Sequence, residues 1–114
     1  MPAQTPSSES SLHTGLLEAL PVTANATTSR LLVNNPVLRV VLFAMDAGQE
    51  LTEHSSPRHV VVQVLSGSLD FTVDGSRQPI AAGDVAYLAP DARHALVAIS
   101  ACRFALTMVD AAAP

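Results

Sequence analysis

The feature that most constrains the fold of this chain is a series of short apolar runs separated by Gly, Pro, Asn and Asp residues. Gly and Asp tolerate the positive φ angles of tight turns, so Ser66-Gly67 and Asp74-Gly75 predict hairpin connections. After Pro21, no helical pattern of about 10 to 15 residues lies between the runs, which argues against alternating strand and helix units. The sequence therefore predicts an all-β sandwich or barrel.

The apolar runs predict seven strands. They cover residues 31–33, 37–45, 60–65, 69–73, 84–88, 94–99 and 103–109. In 69–73 apolar and polar residues alternate, which is typical of a strand with one buried face. The run 60–65 is apolar at nearly every position, so we expect both of its faces to be covered by a second sheet or a second subunit. Together with the apolar run 37–45, it predicts a homodimer.

The beginning of the chain has a different character. Residues 1–11 are rich in Pro, Ser and Gln and lack a periodic apolar pattern, so we interpret them as a flexible tail. In residues 12–20 the leucines recur at helical spacing until Pro21, which predicts a short helix or turn. Residues 12–114 are then a single domain, because about 100 to 200 residues per domain is usual.

Composition excludes several classes of function. The 114 residues carry a net charge of -4 and the six basic residues are all arginine, which argues against nucleic acid as a partner. No apolar run reaches the ~18 to 20 residues of a membrane span. The single cysteine, Cys102, cannot form an internal disulfide and is interpreted as a buried apolar residue. We expect a cytoplasmic protein that does not bind membranes.

Three of the four histidines lie beside predicted strands. His54 and His59 flank the loop before the strand 60–65, and His94 begins the strand 94–99. His13 lies in the N-terminal helical stretch and is interpreted as a solvated residue. Because neutral imidazole is a common ligand of first-row metals, the three could converge on one ion. Spacing alone leaves a second interpretation open, in which they are polar residues at the rim of a barrel.

Two glycine-histidine patterns resemble the motifs of the cupin superfamily. The first runs from Gly48 through His54 to Gly67, and the second runs from Gly83 to His94. The resemblance covers residues 37–109, and this part of the chain is similar to small, stand-alone bacterial cupins. It implies a double-stranded β-helix, which is the RmlC-like jelly-roll barrel.

The first cupin motif is degenerate in this chain. Ser56 occupies the position of its second histidine and Val60 that of its glutamate, so only His54 and His94 carry over as ligands. The resemblance implies a divalent ion (zinc, iron, manganese or nickel), which these two histidines would bind with His59 or water. His59 precedes the glutamate position by one residue, so it would reach the site only through a β-bulge.

The expected barrel encloses a small apolar pocket for a small-molecule ligand. Its predicted lining consists of Val60, Val62, Val64, Phe71 and Tyr87. A small apolar pocket with a few converging polar groups is the usual form of a ligand site. Two functions stay open: an enzyme that oxidises or isomerises a small organic molecule at a metal, and a metal-free module that binds or senses a ligand.

Guanidinium groups suit the geometry of a carboxylate, which makes the arginines candidate ligand contacts. Of Arg39, Arg58 and Arg93, we expect only Arg93 at the rim of the pocket, because it adjoins His94. The other two are interpreted as solvated surface residues.

Overall fold

A computed structural model describes residues 5–110 of the chain. Within that range it has one four-residue helix and nine strands. The elements are α1 (Leu16–Ala19), β1 (Thr27–Asn34), β2 (Leu38–Met45), β3 (Glu50–His54), β4 (His59–Ser66), β5 (Ser68–Val73), β6 (Ser76–Ala81), β7 (Val85–Leu88), β8 (His94–Ala98) and β9 (Cys102–Val109). No helix of the described part is long and apolar enough to cross a bilayer.

The strands form two antiparallel sheets. One has the order β1-β2-β9-β4-β7 and the other has the order β3-β8-β5-β6. Each sheet contributes its apolar face to a common core, which includes Val62, Phe71, Leu96 and Phe104. The all-β jelly roll predicted from the sequence is confirmed.

All seven predicted strands are present, and the two that were missed have a common physical cause. β3 and β6 lie at opposite edges of the four-stranded sheet and expose most of their residues, so neither has the apolar run by which the other strands were found. β6 also contains Pro79, which an edge strand tolerates because one side of its backbone needs no partner. β1 begins four residues earlier than predicted, at Thr27, since its first residues are polar.

The N-terminal segment covers part of the outer face of the five-stranded sheet. Leu42 and Ala44 point away from the core yet are fully buried. The segment is held there by the Arg103 Nε, which donates to the Leu20 carbonyl, and by the Thr5 amide, which donates to the Asn34 carbonyl. The helix predicted over 12–20 is limited to α1. Residues 5–11 contain no helix or strand, and residues 1–4 of the predicted tail lie outside the described residues.

The core is closed at the end where β9 begins. Cys102 and Phe104 are fully buried, and Phe104 stacks on Phe43 with ring centroids 5.0 Å apart. Burial raises the pKa of the Cys102 thiol, as expected for an unreactive side chain. Gly67, which has a φ of 73°, packs directly against this end. A Cβ at Gly67 would lie 2.8 Å from the Cys102 Cα and even closer to the Ala101 carbonyl oxygen.

Two glycine substitutions separate backbone strain from steric overlap. Gly75 has a similar φ of 83° but open space where its Cβ would lie. We expect Gly75→Ala to lower the free energy of unfolding by about 1 kcal/mol, from the positive φ alone. Gly67→Ala should lower the free energy of unfolding by about 3 kcal/mol or more, because the backbone of Ala101 and Cys102 must also move to make room for the Cβ. Urea denaturation followed by circular dichroism measures both, and equal costs would contradict close packing at Gly67.

Candidate functional site

Two of the three predicted site histidines are brought together by direct pairing of neighbouring strands. His54 ends β3 and His94 begins β8, and the two residues lie opposite each other across the antiparallel pair. The register of this pair shifts between Leu51 and His54. Such irregularities are common at barrel rims, where they re-aim side chains. Both imidazoles therefore meet at the end of the barrel opposite Gly67.

The two rings contact each other through the same type of nitrogen. The Nε2 atoms of His54 and His94 lie 2.9 Å apart, and the ring centroids are 4.1 Å apart at an interplanar angle of 65°. Each remaining nitrogen is held by backbone. The His54 Nδ1 lies 2.8 Å from the Thr52 carbonyl oxygen, and the His94 Nδ1 lies 3.1 Å from the Ala92 carbonyl oxygen.

These contacts determine which nitrogens carry hydrogen. A carbonyl oxygen only accepts hydrogen bonds, so both Nδ1 atoms must donate. In neutral rings, both Nε2 atoms would then present lone pairs to each other across 2.9 Å. That repulsive arrangement becomes attractive when one positive species lies between them, either a proton on one Nε2 or a metal ion bound to both.

The two histidines differ in exposure. His94 is buried, with only 6% of its surface exposed, whereas His54 is exposed. Burial lowers the pKa of His94, the charge of His54 lowers it further, and the hydrogen bond to the Ala92 carbonyl partly opposes both. Burial therefore disfavours the charged form of His94. The Phe71 ring, 6.4 Å from the His94 ring, contributes to this apolar environment.

The histidine pair lines an apolar cavity of about 160 Å³ between the sheets. The other lining residues are Phe43, Leu51, Val62, Phe71, Ala95, Leu96, Leu106 and Met108. Of the predicted pocket residues, Val62 and Phe71 line this cavity, while Val60 and Val64 belong to the buried core beside it. The lining residues Phe43, Leu106 and Met108 were not predicted from the sequence. The alternation of side chains along β2 and β9 places them on the inner face, but only once the pairing of the two strands is known.

The third histidine lies elsewhere. Val60 points into the core, so His59 points to the outer face of the five-stranded sheet, where its Nδ1 lies 2.8 Å from the Tyr87 hydroxyl. Tyr87 lies on the same face and lines a separate, open depression of about 280 Å³ together with Phe71 and Val85. No bulge at the start of β4 turns His59 toward His54 and His94.

The comparisons with known proteins identify the family of this chain. A sequence model described as the cupin domain matches residues 41–110. This chain belongs to the cupin family. The search of curated proteins gave no match.

Solved structures show the same cupin fold. A conserved protein of unknown function from Streptococcus pyogenes, SPY1581, is 30% identical, with a TM-score of 0.83 and 92% of each chain covered. An RmlC-like cupin from Desulfovibrio desulfuricans is 25% identical, with a TM-score of 0.79, and covers 89% of this chain and 97% of its own. Salicylate 1,2-dioxygenase from Pseudoaminobacter salicylatoxidans, at 21% identity, covers 81% of this chain and 29% of its own, with a TM-score of 0.70. The last match bears on the fold alone.

The donor set of this cupin suits a metal ion that takes two protein ligands. Two nitrogens bound at about 2.0–2.1 Å are separated by about 2.9 Å at a right angle and by about 3.3 Å at a tetrahedral angle. The observed 2.9 Å is close to the separation at a right angle, and it is also the length of an ordinary hydrogen bond. Backbone carbonyls on both Nδ1 atoms fix the tautomer that leaves Nε2 free to coordinate. Within residues 5–110 no third His, Cys, Asp or Glu joins the pair, so water or a ligand would complete the shell.

The lowered pKa of His94 predicts a specific pH dependence of stability. An unfolded His94 takes up a proton near its ordinary pKa of 6.5, whereas the folded ring resists protonation. This contribution to stability is therefore present above pH 6.5 and is lost as the pH falls through the lower pKa of the folded state. Urea denaturation in buffer treated with a chelator measures the free energy of unfolding between pH 8 and pH 5. This free energy should fall less steeply with falling pH in His94→Gln than in the parent.

His13→Gln is the matched control for this experiment. His13 is exposed and bonds only to Ser11 within the described residues, so its loss should leave the parent's decline unchanged. A decline of equal steepness in the parent and in His94→Gln would contradict the assignment of a neutral, buried His94.

Proposed function

We propose that this cupin binds a small organic molecule in the cavity between its sheets and binds a divalent metal ion at the cavity's polar end. The observation that carries the proposal is the 2.9 Å separation of two Nε2 atoms whose rings both donate through Nδ1 to backbone carbonyls. Two Nε2 lone pairs this close to each other favour a cation between them. The candidate ions are zinc, iron, manganese and nickel.

The surroundings of the pair support a ligand beside the ion. The cavity is lined mainly by aliphatic and aromatic side chains, so the His54 and His94 rings are its main polar groups. A bound metal would supply Lewis acidity to a ligand oxygen at this position. His94 would orient the ligand from the buried side, and the exposed His54 would border the entrance. The cytoplasmic location expected from the sequence stays part of the proposal.

A second function is favoured by the small number of ligands. With Val60 at the motif's glutamate position and no third ionisable ligand among residues 5–110, the pair could work without metal. The His54 and His94 rings would then form hydrogen bonds with the bound molecule. In this alternative the protein binds or senses a small ligand and has no enzymatic activity.

Metal binding can be assigned to the pair by substitution. We expect tag-free protein to bind one divalent ion per chain in calorimetric titrations with Zn²⁺, Mn²⁺, Fe²⁺ and Ni²⁺. Loss of a ligand's hydrogen-bond partner alone typically costs about 10- to 100-fold in affinity, so His54→Gln and His94→Gln should each cost at least that. His59→Gln, which removes a histidine from the outer face, should bind as the parent does.

Two results would contradict the metal proposal. One is a parent protein that binds none of the four ions, and the other is a loss of binding in His59→Gln that equals the loss in His94→Gln. Binding of a neutral organic probe such as pentanamide by a protein that takes up no metal would favour the metal-free alternative.

The outer face of the five-stranded sheet supports the predicted homodimer. Val85 and Tyr87 on the edge strand β7 are 60% and 58% exposed, and the half-buried Val61 lies beside Tyr87 on β4. A second copy on this face would bury these side chains, which is favourable at about 25 cal/mol per Å². We propose this face as the dimer interface.

Light scattering tests the dimer. The expected mass is about twice the 11.9 kDa of one chain. Val85→Glu should shift the measured mass toward that of a monomer, because it introduces a charge into the interface. Ile99→Glu is the control, since Ile99 is similarly exposed at 52% but follows β8 in the other sheet. A monomeric parent at micromolar concentration would contradict the proposal.

A further inference from the structure

A second, polar cavity lies against the apolar one. It has a volume of about 80 Å³ and is lined by Asn34, Asn35, Pro36, Leu38, Arg39, Arg58, Met108 and Asp110. Met108 is the residue that lines both cavities. The polar cavity is half the size of the apolar one, so it suits a small anionic group better than an organic body.

Strand register explains why two arginines meet behind Met108. On one side of β9, Arg39 of β2 lies directly opposite Met108, and on the other side Val60 of β4 does. All three therefore share the inner face of the sheet. Arg58 lies in the bend just before β4 and lines the same cavity as Arg39 and Met108. Its Nη1 lies 4.0 Å from the Met108 Sδ.

The two guanidinium groups have unused hydrogen-bonding capacity. Arg58 is fixed by an ion pair of 2.9 Å from its Nε to the Asp110 Oδ1, while its Nη1 reaches only a thioether sulfur, which is a weak acceptor. Arg39 donates through Nε to the Asn34 Oδ1 at 3.4 Å. Within residues 5–110 Arg39 has no carboxylate partner. Asp110 compensates one of the two positive charges, so the cavity retains one.

We propose that the ligand of the apolar cavity is a carboxylate with a short apolar body. Its carboxylate would be held by Arg39 and Arg58, and its body would extend past Met108 toward the His54 and His94 pair. The side chain of Met108 is flexible and unbranched, so a change of its rotamer would connect the two cavities. Guanidinium donors and a carboxylate form charge-assisted hydrogen bonds, which are about twice as strong as neutral ones. This inference rests on the proposed function, and it names the ligand class of that site.

The arginines that would contact the ligand differ from the one expected from the sequence. Arg93, expected at the rim because it adjoins His94, has a side chain that is 75% exposed and lies 3.6 Å from the Glu53 carboxylate. Neither cavity is lined by Arg93. The half-buried Arg39 and Arg58, expected to be solvated, line the polar cavity instead.

Pentanoate and pentanamide form a matched pair of probes, because they have the same shape and differ in charge. In calorimetric titrations of the full chain, the parent should bind pentanoate about tenfold more tightly than pentanamide. Arg39→Gln and Arg58→Gln should each remove most of this preference while retaining the parent's circular dichroism spectrum. Arg93→Gln should retain the preference.

A second measurement locates the bound probe. In protein labelled with ¹³C at the methionine methyl groups, pentanoate should shift the Met108 resonance. The resonance of Met45, which is fully buried at the closed end, should stay in place. This readout does not depend on the arginine variants, so it remains informative if one of them fails to fold.

Several results would overturn the carboxylate inference. Equal affinity for the two probes would overturn the carboxylate inference but leave cavity binding intact, and binding of neither would overturn both. A preference that survives both Arg39→Gln and Arg58→Gln, or one that is lost in Arg93→Gln, would overturn the assignment of the arginines. Tighter binding of inorganic phosphate than of pentanoate would also overturn the inference and identify a phosphate site.

Discussion

The position of β9 between β2 and β4 is the constraint on which the rest of the molecule depends. Every second side chain of β9 points between the sheets, and these side chains change from the fully buried Cys102 and Phe104 to the half-buried Met108. At the first end the Gly67 backbone packs directly on Cys102 and closes the barrel. At the other end the neighbouring side chains include Arg39, and this end holds the candidate site. One strand therefore connects the closed end of the barrel with the end of the candidate site.

At the candidate site, the arrangement of polar atoms follows from the backbone. The Thr52 and Ala92 carbonyls orient the two imidazoles so that their Nε2 atoms converge. The apolar lining of the cavity offers the two Nε2 atoms few other polar partners. The neighbouring cavity contains two arginines, although the chain as a whole has a net charge of -4.

Much of the fold was predictable from the sequence because most strands bury one or both faces and therefore contain regular apolar residues. The edge strands β3 and β6 were not predictable in this way, since exposed strands such as β6 are stabilised by backbone pairing that leaves little trace in the sequence. His54 and His94 were found through a motif. The roles of Arg39 and Arg58 depend on the register of β2, β9 and β4, which no local pattern specifies.

The proposed histidine site is tested most directly by the ¹⁵N spectrum of the histidine rings during titration with Zn²⁺. We expect His54 and His94 both to carry hydrogen on Nδ1 before metal is added, and the Nε2 resonances of these two residues to shift together at one equivalent. His59 and His13 should not change. A pair that carries hydrogen on Nε2 in both rings, or a spectrum in which Zn²⁺ shifts His59 and leaves His94 in place, would contradict the proposed site.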